Sequence, residues 1–175
     1  MLVDLQVGIP SDVENLIDST KAAGLDGIVL TSDETLFPAT EALKENEQGV
    51  AVFSGSKLST NHGLLLCIIP NPQDELGDDW AEMDGDVYDA ISVINAIESL
   101  DGVVIALRPY DREVELPMGD QIFGLTGLSA CDVQNGRLSA NSNGLALEAA
   151  SNLELPCVGL SSASEVGGLG SSATL

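Results

Sequence analysis

His62 is the single histidine in 175 residues, and Cys67, Cys131 and Cys157 are the three cysteines. One imidazole completes neither a tetrahedral metal shell nor a serine–histidine–aspartate relay unless further partners converge on it. No two cysteines stand at C-x-x-C spacing, which gives a zinc or dithiol site little support. Each cysteine lies in or beside an apolar run, the setting of a buried, reduced thiol. The sequence has no G-x-x-x-x-G-K-[ST] loop, no G-x-G-x-x-G turn and no G-x-S-x-G elbow. Gly167-Gly168-Leu169-Gly170 is glycine-rich, but no nucleotide fingerprint precedes it.

The elements that would position any functional group alternate along the chain. Leu2–Val7 reads as a strand. Ser11 followed by Glu14 forms a capping-box pattern, and Val13, Leu16, Ile17 and Thr20 then mark the inward face of a helix that Gly24 ends. Gly27–Thr31 is a second strand, and a helix near Pro38–Glu45 leads to a third, Gly49–Ser54. Gly63–Ile69 is the fourth. Tyr88–Leu100 is helical, with Ala90, Ile91, Ile94, Ala96 and Ile97 on a broad apolar face. Gly102–Leu107 follows as a strand, Asp111–Glu115 as a charged loop, and a short helix starts at Gly119. Leu128–Val133, Gly144–Asn152 and Pro156–Leu160 complete the pattern as strand, helix and strand. Seven strand candidates interleaved with helices predict one α/β domain spanning residues 1–175, with a largely parallel sheet.

Charge narrows the partners. The chain carries 28 Asp and Glu against 6 Lys and Arg, a formal charge of -22. Such a field repels phosphate backbones and anionic bilayers, so neither nucleic acid nor membrane is an expected partner. Hydrophobic residues make up 44% of the chain and aromatics 3%, so the core must be built from Leu, Ile, Val and Ala. The longest apolar run, Gly63–Pro70, is too short to cross a bilayer, and Asp4 interrupts the first apolar stretch where a signal peptide would be uniform. The expected compartment is the cytoplasm. Residues 70–87 hold two prolines, many acids and Trp80. They read either as a solvated loop or as a docking segment anchored by Trp80.

Four stretches carry a family resemblance: Met1–Gly8 (MLVDLQVG), Gly24–Asp33 (GLDGIVLTSD), Val104–Asp111 (VIALRPYD) and Val158–Ser164 (VGLSSAS). They resemble the PHP (polymerase and histidinol phosphatase) signatures D-L-H-x-H, G-L-D-x-I-x-x-T-D-H, I-A-x-H-P-Y and G-G-S-D-A-H. The resemblance implies a distorted (β/α)7, TIM-barrel-like fold, here trimmed at the C-terminus, with its site at the C-terminal ends of the strands. It also implies up to three metal ions held by imidazoles and carboxylates, which would generate a hydroxide and neutralise phosphoryl oxygens.

The positions implied as ligands hold other residues. Gln6 and Gly8 replace the two histidines of the first signature. Ser32 and Asp33 stand at the Asp and His of the second. Lys57, in a stretch resembling G-I-E-x-S-T, replaces a bridging Glu, and Leu64 stands at the His of a G-H-L pattern. Arg108 replaces the histidine before Pro109, and Ser162 and Ser164 replace the last Asp and His. Fixed cations at Lys57 and Arg108 repel metal, and the remaining side chains fall short of the N/O donor count that Zn, Mn or Fe needs. No cofactor is therefore expected. Asp4, Asp132 and Asn135 remain as residues suited to supporting hydrogen bonds.

The reading is a PHP-like barrel without catalysis, kept as a protein-binding, regulatory or structural subunit. Two alternatives stay open. One is a residual phosphoesterase using a single metal on Asp33 and Asp132, or no metal at all. The other is a small-anion site, for phosphate or carboxylate, in which Lys57 and Arg108 share a pocket with Asp33.

Overall fold

The computed structural model describes residues 1–8, 13–32, 49–70, 76 and 79–175. Its main strands are β1 (Val3–Gly8), β2 (Gly27–Ser32), β3 (Ala51–Thr60), β4 (Gly63–Ile68), β7 (Val103–Ala106), β8 (Ala130–Asn135) and β9 (Cys157–Leu160). A small hairpin, β5 (Met83–Asp84) and β6 (Val87–Tyr88), hangs from the end of β3 through Thr60 and Tyr88. Helices α1 (Val13–Ala22), α2 (Ala90–Ser99) and α3 (Ala140–Leu153) pack on the sheet. None of the helices among the described residues is long and apolar enough to cross a membrane.

The sheet runs β1-β2-β3-β4-β7-β8-β9 and curls until it nearly closes as a barrel. Val7 bridges Ala163 just beyond β9, and Val3 exchanges two 2.8 Å backbone hydrogen bonds with Thr174. The Thr174 hydroxyl also bonds the backbone of Gly159 at 3.0 Å, so residues near the C-terminus sit between the first and last strands.

The sheet is largely parallel along its main path, but one strand is reversed. Strand β4 runs antiparallel to both β3 and β7, while the other neighbours along the main path are parallel. The cause is local. Strand β3 continues past Ser54 to Thr60, and Asn61-His62 turn the chain directly back into Gly63. Gly63 has φ 102°, and a β-carbon there would come within 2.8 Å of Met118 backbone atoms, so only glycine fits. The Thr60 hydroxyl fastens the turn by donating to the Gly63 carbonyl at 2.7 Å. A hairpin thus joins the third and fourth strands and reverses one strand of the expected parallel sheet.

Strand alternation sorts the core into layers. Leu64, Leu66, Ile105, Leu107, Ala130 and Leu160 fill the barrel interior. Leu65, Cys67, Val104, Ala106 and Cys131 face outward onto α2 and α3, and Val7, Ile28, Leu30 and Val52 receive Leu16 and Ile17 of α1. Helix α1 stops at Gly24, whose φ of 75° suits a left-handed cap. Helix α2 starts on Asp89, whose carboxylate accepts the Ser92 N–H at 2.8 Å. The bond to that N–H, followed by one from Asn61, holds the Asp89 carboxyl below its usual range.

Three local expectations are corrected. Ile91 lies on the outer side of α2, 47% exposed, because Val93 takes the inward position beside Ile94 and Ile97. Cys157 is exposed, since it begins β9 at the strand's open end, whereas Cys67 and Cys131 are buried. The hairpin β5–β6 gives the acidic 70–87 stretch regular structure of its own. The helix expected near Pro38–Glu45 lies outside the described residues.

Candidate functional site

The ends of β1, β7, β8 and β9 bring together a chain of buried polar groups. Asp4, in β1, is fully buried, and its carboxylate accepts the backbone N–H groups of Ser161 and Gly170, each at 3.1 Å. Two residues on, the Gln6 side-chain carbonyl accepts the Ser162 hydroxyl at 2.6 Å. Ser162 in turn accepts the Asn135 amide at 2.8 Å, and that amide's other hydrogen reaches Asp132 Oδ2 at 2.7 Å. Asp132 Oδ2 also takes the Arg108 backbone N–H at 3.2 Å. A continuous path therefore runs from β1 through the loop after β9 and strand β8 to the loop after β7.

Backbone geometry makes the path possible. Arg108 and Ser162 both sit in the left-handed region, with φ of 46° and 52°. Neither is glycine, so each turn holds a conformation that costs about 1–2 kcal/mol. Asn143 of α3 clamps Asn135 from outside: its side chain accepts the Asn135 N–H at 3.1 Å and donates to the Asn135 carbonyl at 3.2 Å.

Charge is concentrated at the Arg108 end. The Arg108 guanidinium pairs with Asp111 at 3.2 Å, both side chains mostly buried. Arg137 donates to the Ser162 carbonyl at 3.3 Å. Two buried atoms lack partners among the described residues, Arg108 Nε and Asp132 Oδ1. Burial pushes the Asp132 carboxyl up to about 7, against the opposing pull of the Asn135 amide, the Arg108 N–H and the Arg108 charge.

Gln6, Arg108 and Ser162 thus fall in one connected region, with Asp4, Asp132 and Asn135 as the supporting hydrogen-bond groups. Gly8 ends β1, with room for a β-carbon 3.5 Å from the Ala163 carbonyl. Leu64 is buried in the apolar barrel interior, far in character from a ligand. Lys57 lies within β3, half-buried and opposite Leu66. Ser164 is exposed. Ser32 ends β2, and Asp33 lies outside the described residues. The cleft beside Arg108 is lined by Asp111, Glu113, Val114, Arg137 and Leu138, with Lys57 not among them. Trp80 is half-buried, its ring 5.3 Å from that of Tyr88 and packed against the α2 layer. His62 belongs to the β3–β4 turn, bonded to Asn61 at 2.9 Å.

Two contributors were not anticipated, Asp111 and Arg137. Asp111 follows Arg108 by three residues across Pro109, a spacing that lets a tight turn fold the two together. Arg137 follows the Asn135-Gly136 pair, and the Asn135 side chain accepts its N–H at 3.1 Å, a local turn of the Asx kind.

Without Asp33, which lies outside them, the described residues here offer few donors to a divalent ion. No group of three or more His, Cys, Asp or Glu gathers among the described residues. Gln6 spends its carbonyl on Ser162, and among the described residues the open carboxylate oxygen of Asp132 feels the Arg108 cation.

No family model and no curated protein sequence matches the chain. Among solved structures, the chain is similar to a protein from Bifidobacterium adolescentis described as a "putative metal-dependent phosphoesterase". The two superpose with a TM-score of 0.77 at 15% identity, over 98% of this chain and 92% of that one. The likeness shows a shared phosphoesterase-like fold, a mixed α/β domain with a nearly closed, barrel-shaped sheet.

Proposed function

We propose that this chain is a PHP-like barrel without metal-dependent catalysis, acting as a protein-binding, regulatory or structural subunit. The observation that carries the reading is the continuous path Gln6–Ser162–Asn135–Asp132. At the positions where the family resemblance implies ligands, Gln6 and Ser162 satisfy each other, and Arg108 adds a permanent cation beside them. A metal would have to displace those hydrogen bonds and approach a guanidinium, and both steps oppose binding.

Elemental analysis of the purified protein, paired with a screen of phosphomonoesters and phosphodiesters, tests the proposal. The expected result is no stoichiometric Zn, Mn or Fe and no turnover. Stoichiometric metal together with turnover that EDTA abolishes would overturn it in favour of a phosphoesterase, for which the shared fold is the support.

The small-anion reading, on Lys57 and Arg108, gains Arg137 as a further cation near Arg108. Its support is the unpartnered Arg108 Nε beside a cleft that Arg137 also lines. Asp111 and Glu113 line the same cleft and cancel the two guanidinium charges, so an anion there must compete with Asp111 for Arg108. A phosphate-dependent rise in melting temperature that Arg108→Ala removes would favour this reading.

A further inference from the structure

Cys131 and Cys157 are register partners on adjacent parallel strands, β8 and β9. The Cys131 N–H donates to the carbonyl of Pro156 at 2.9 Å, which fixes that register. Residues paired in a parallel ladder project from the same face of the sheet, so both thiols lie on the side covered by α3. There Cys131 Sγ is 3.9 Å from the Ala146 carbonyl. Neighbouring strands run about 4.8 Å apart. That spacing falls within the roughly 4.4–6.8 Å between α-carbons that a disulfide spans. Side chains leaving a parallel ladder side by side are a little farther apart at the β-carbons than a relaxed disulfide prefers. The bond would therefore hold some strain and be readily reduced.

The two thiols differ in access. Cys157 is exposed and Cys131 is buried, while Cys67 is buried on β4 and pairs in register with Ser56 and Val104, not with either of them. We propose that Cys131 and Cys157 form a reversible disulfide, making the β8–β9 ladder a peroxide-responsive modification site. Cys157 reacts first. Its thiolate sulfur attacks a peroxide oxygen, the O–O bond breaks, and Cys157 becomes a sulfenic acid with release of water. The Cys131 sulfur then attacks the Cys157 sulfur, the S–O bond breaks, and the hydroxyl leaves as a second water. Two thiols and one hydrogen peroxide give one disulfide and two waters, and the sulfurs lose the two electrons that the peroxide gains. Cys131 is buried and Cys157 exposed, so peroxide meets Cys157 first.

The test treats the purified full chain with hydrogen peroxide, blocks the remaining thiols after denaturation, and maps the products by mass spectrometry. The expected result is loss of two of the three alkylatable thiols together, a peptide joining Cys131 to Cys157, and restoration of both thiols by dithiothreitol. Cys67 stays alkylatable throughout. Cys157→Ser removes the link and leaves Cys131 reduced. Cys131→Ala, with folding checked by circular dichroism, leaves Cys157 as a sulfenic acid that dimedone traps. The proposal is overturned if Cys157 resists peroxide, if it advances to sulfinic acid while Cys131 stays alkylatable, or if it links only to a second molecule.

Discussion

The Ser162 hydroxyl donates to the Gln6 side-chain carbonyl at 2.6 Å, tying the loop after the last strand to the middle of the first. The contact spans almost the whole sequence and is reinforced one residue earlier, where the Ser161 N–H meets Asp4. These bonds do at the barrel seam what a continuous strand ladder does elsewhere.

Ser162 also carries a φ of 52°, so its side chain and its backbone pull in opposite directions. Ser162→Ala removes the donor to Gln6 and the acceptor for Asn135 while keeping the β-carbon penalty. The expected loss is about 1–3 kcal/mol, because buried partners are left unpaired. Ser162→Gly removes the same bonds but relieves the left-handed strain, partly offset by the greater freedom of glycine in the unfolded chain. Urea unfolding should therefore rank glycine above alanine by up to about 1 kcal/mol. A glycine variant no more stable than the alanine one would mean the strain is not there.

Asp132 gives the fold a pH dependence of unusual sign for a carboxylate. Its pKa rises from 3.8 to about 7, so folding favours the protonated form. Below the lower value the group is neutral in both states and carries no penalty. Between the two values the unfolded chain ionises while the folded one keeps its proton, and stability falls as pH rises. Above about 7 the penalty is complete and constant. Asp132→Asn should preserve the accepting oxygen for Asn135 and the Arg108 N–H. The difference between variant and parent should then grow in the variant's favour from pH 4 to pH 7, by a few kcal/mol at most. A difference that stays flat across that range would show that Asp132 ionises normally.

Arg108 and Asp111 form a pair in which removing one charge strands the other. Asp111 is buried, and besides Arg108 its carboxylate accepts the Glu113 N–H at 2.9 Å. Arg108→Ala is expected to cost roughly 2–3 kcal/mol, mostly from the uncompensated carboxylate. Asp111→Asn in the same chain should recover part of that loss, a coupling that a double-mutant cycle reads directly. Strict additivity of the two changes would rule out an energetic link between them.

Much of this architecture could be read from periodicity. Leu16, Ile17 and Thr20 are buried as spaced, and the strands containing Asp4, Ile28, Leu65, Ile105, Cys131 and Leu160 fall where apolar runs and glycines put them. The direction of β4 was not legible, because Gly63–Ile69 reads alike as a hairpin arm or as a buried parallel strand. A strand buried on both faces shows no alternation to separate the two. Within the candidate site, Gln6, Arg108 and Ser162 were visible through the motifs around them. Asp111 and Arg137 were not, since an acid in a charged loop and a base after a glycine carry no signal until the loops are placed. The Gln6–Ser162 contact was likewise out of reach, being a matter of which loops meet at the seam.

The net charge of -22 sets a last expectation. With 28 acids against 6 bases, most surface carboxylates have no cation to pair with, and the compact state suffers their mutual repulsion. Salt shortens the reach of that repulsion, from about 30 Å at 0.01 M to about 3 Å at 1 M. The melting temperature should therefore climb as NaCl or KCl is added, most steeply at the dilute end where screening changes fastest. Buried groups respond little: the Arg108→Ala loss should be nearly the same at low and high salt, because Arg108 and Asp111 are shielded by protein rather than by ions. Calorimetry across a salt series on parent and variant separates the two contributions. A melting temperature that falls with chloride salt would mean that surface ion pairs, not repulsion, dominate the electrostatics of this barrel.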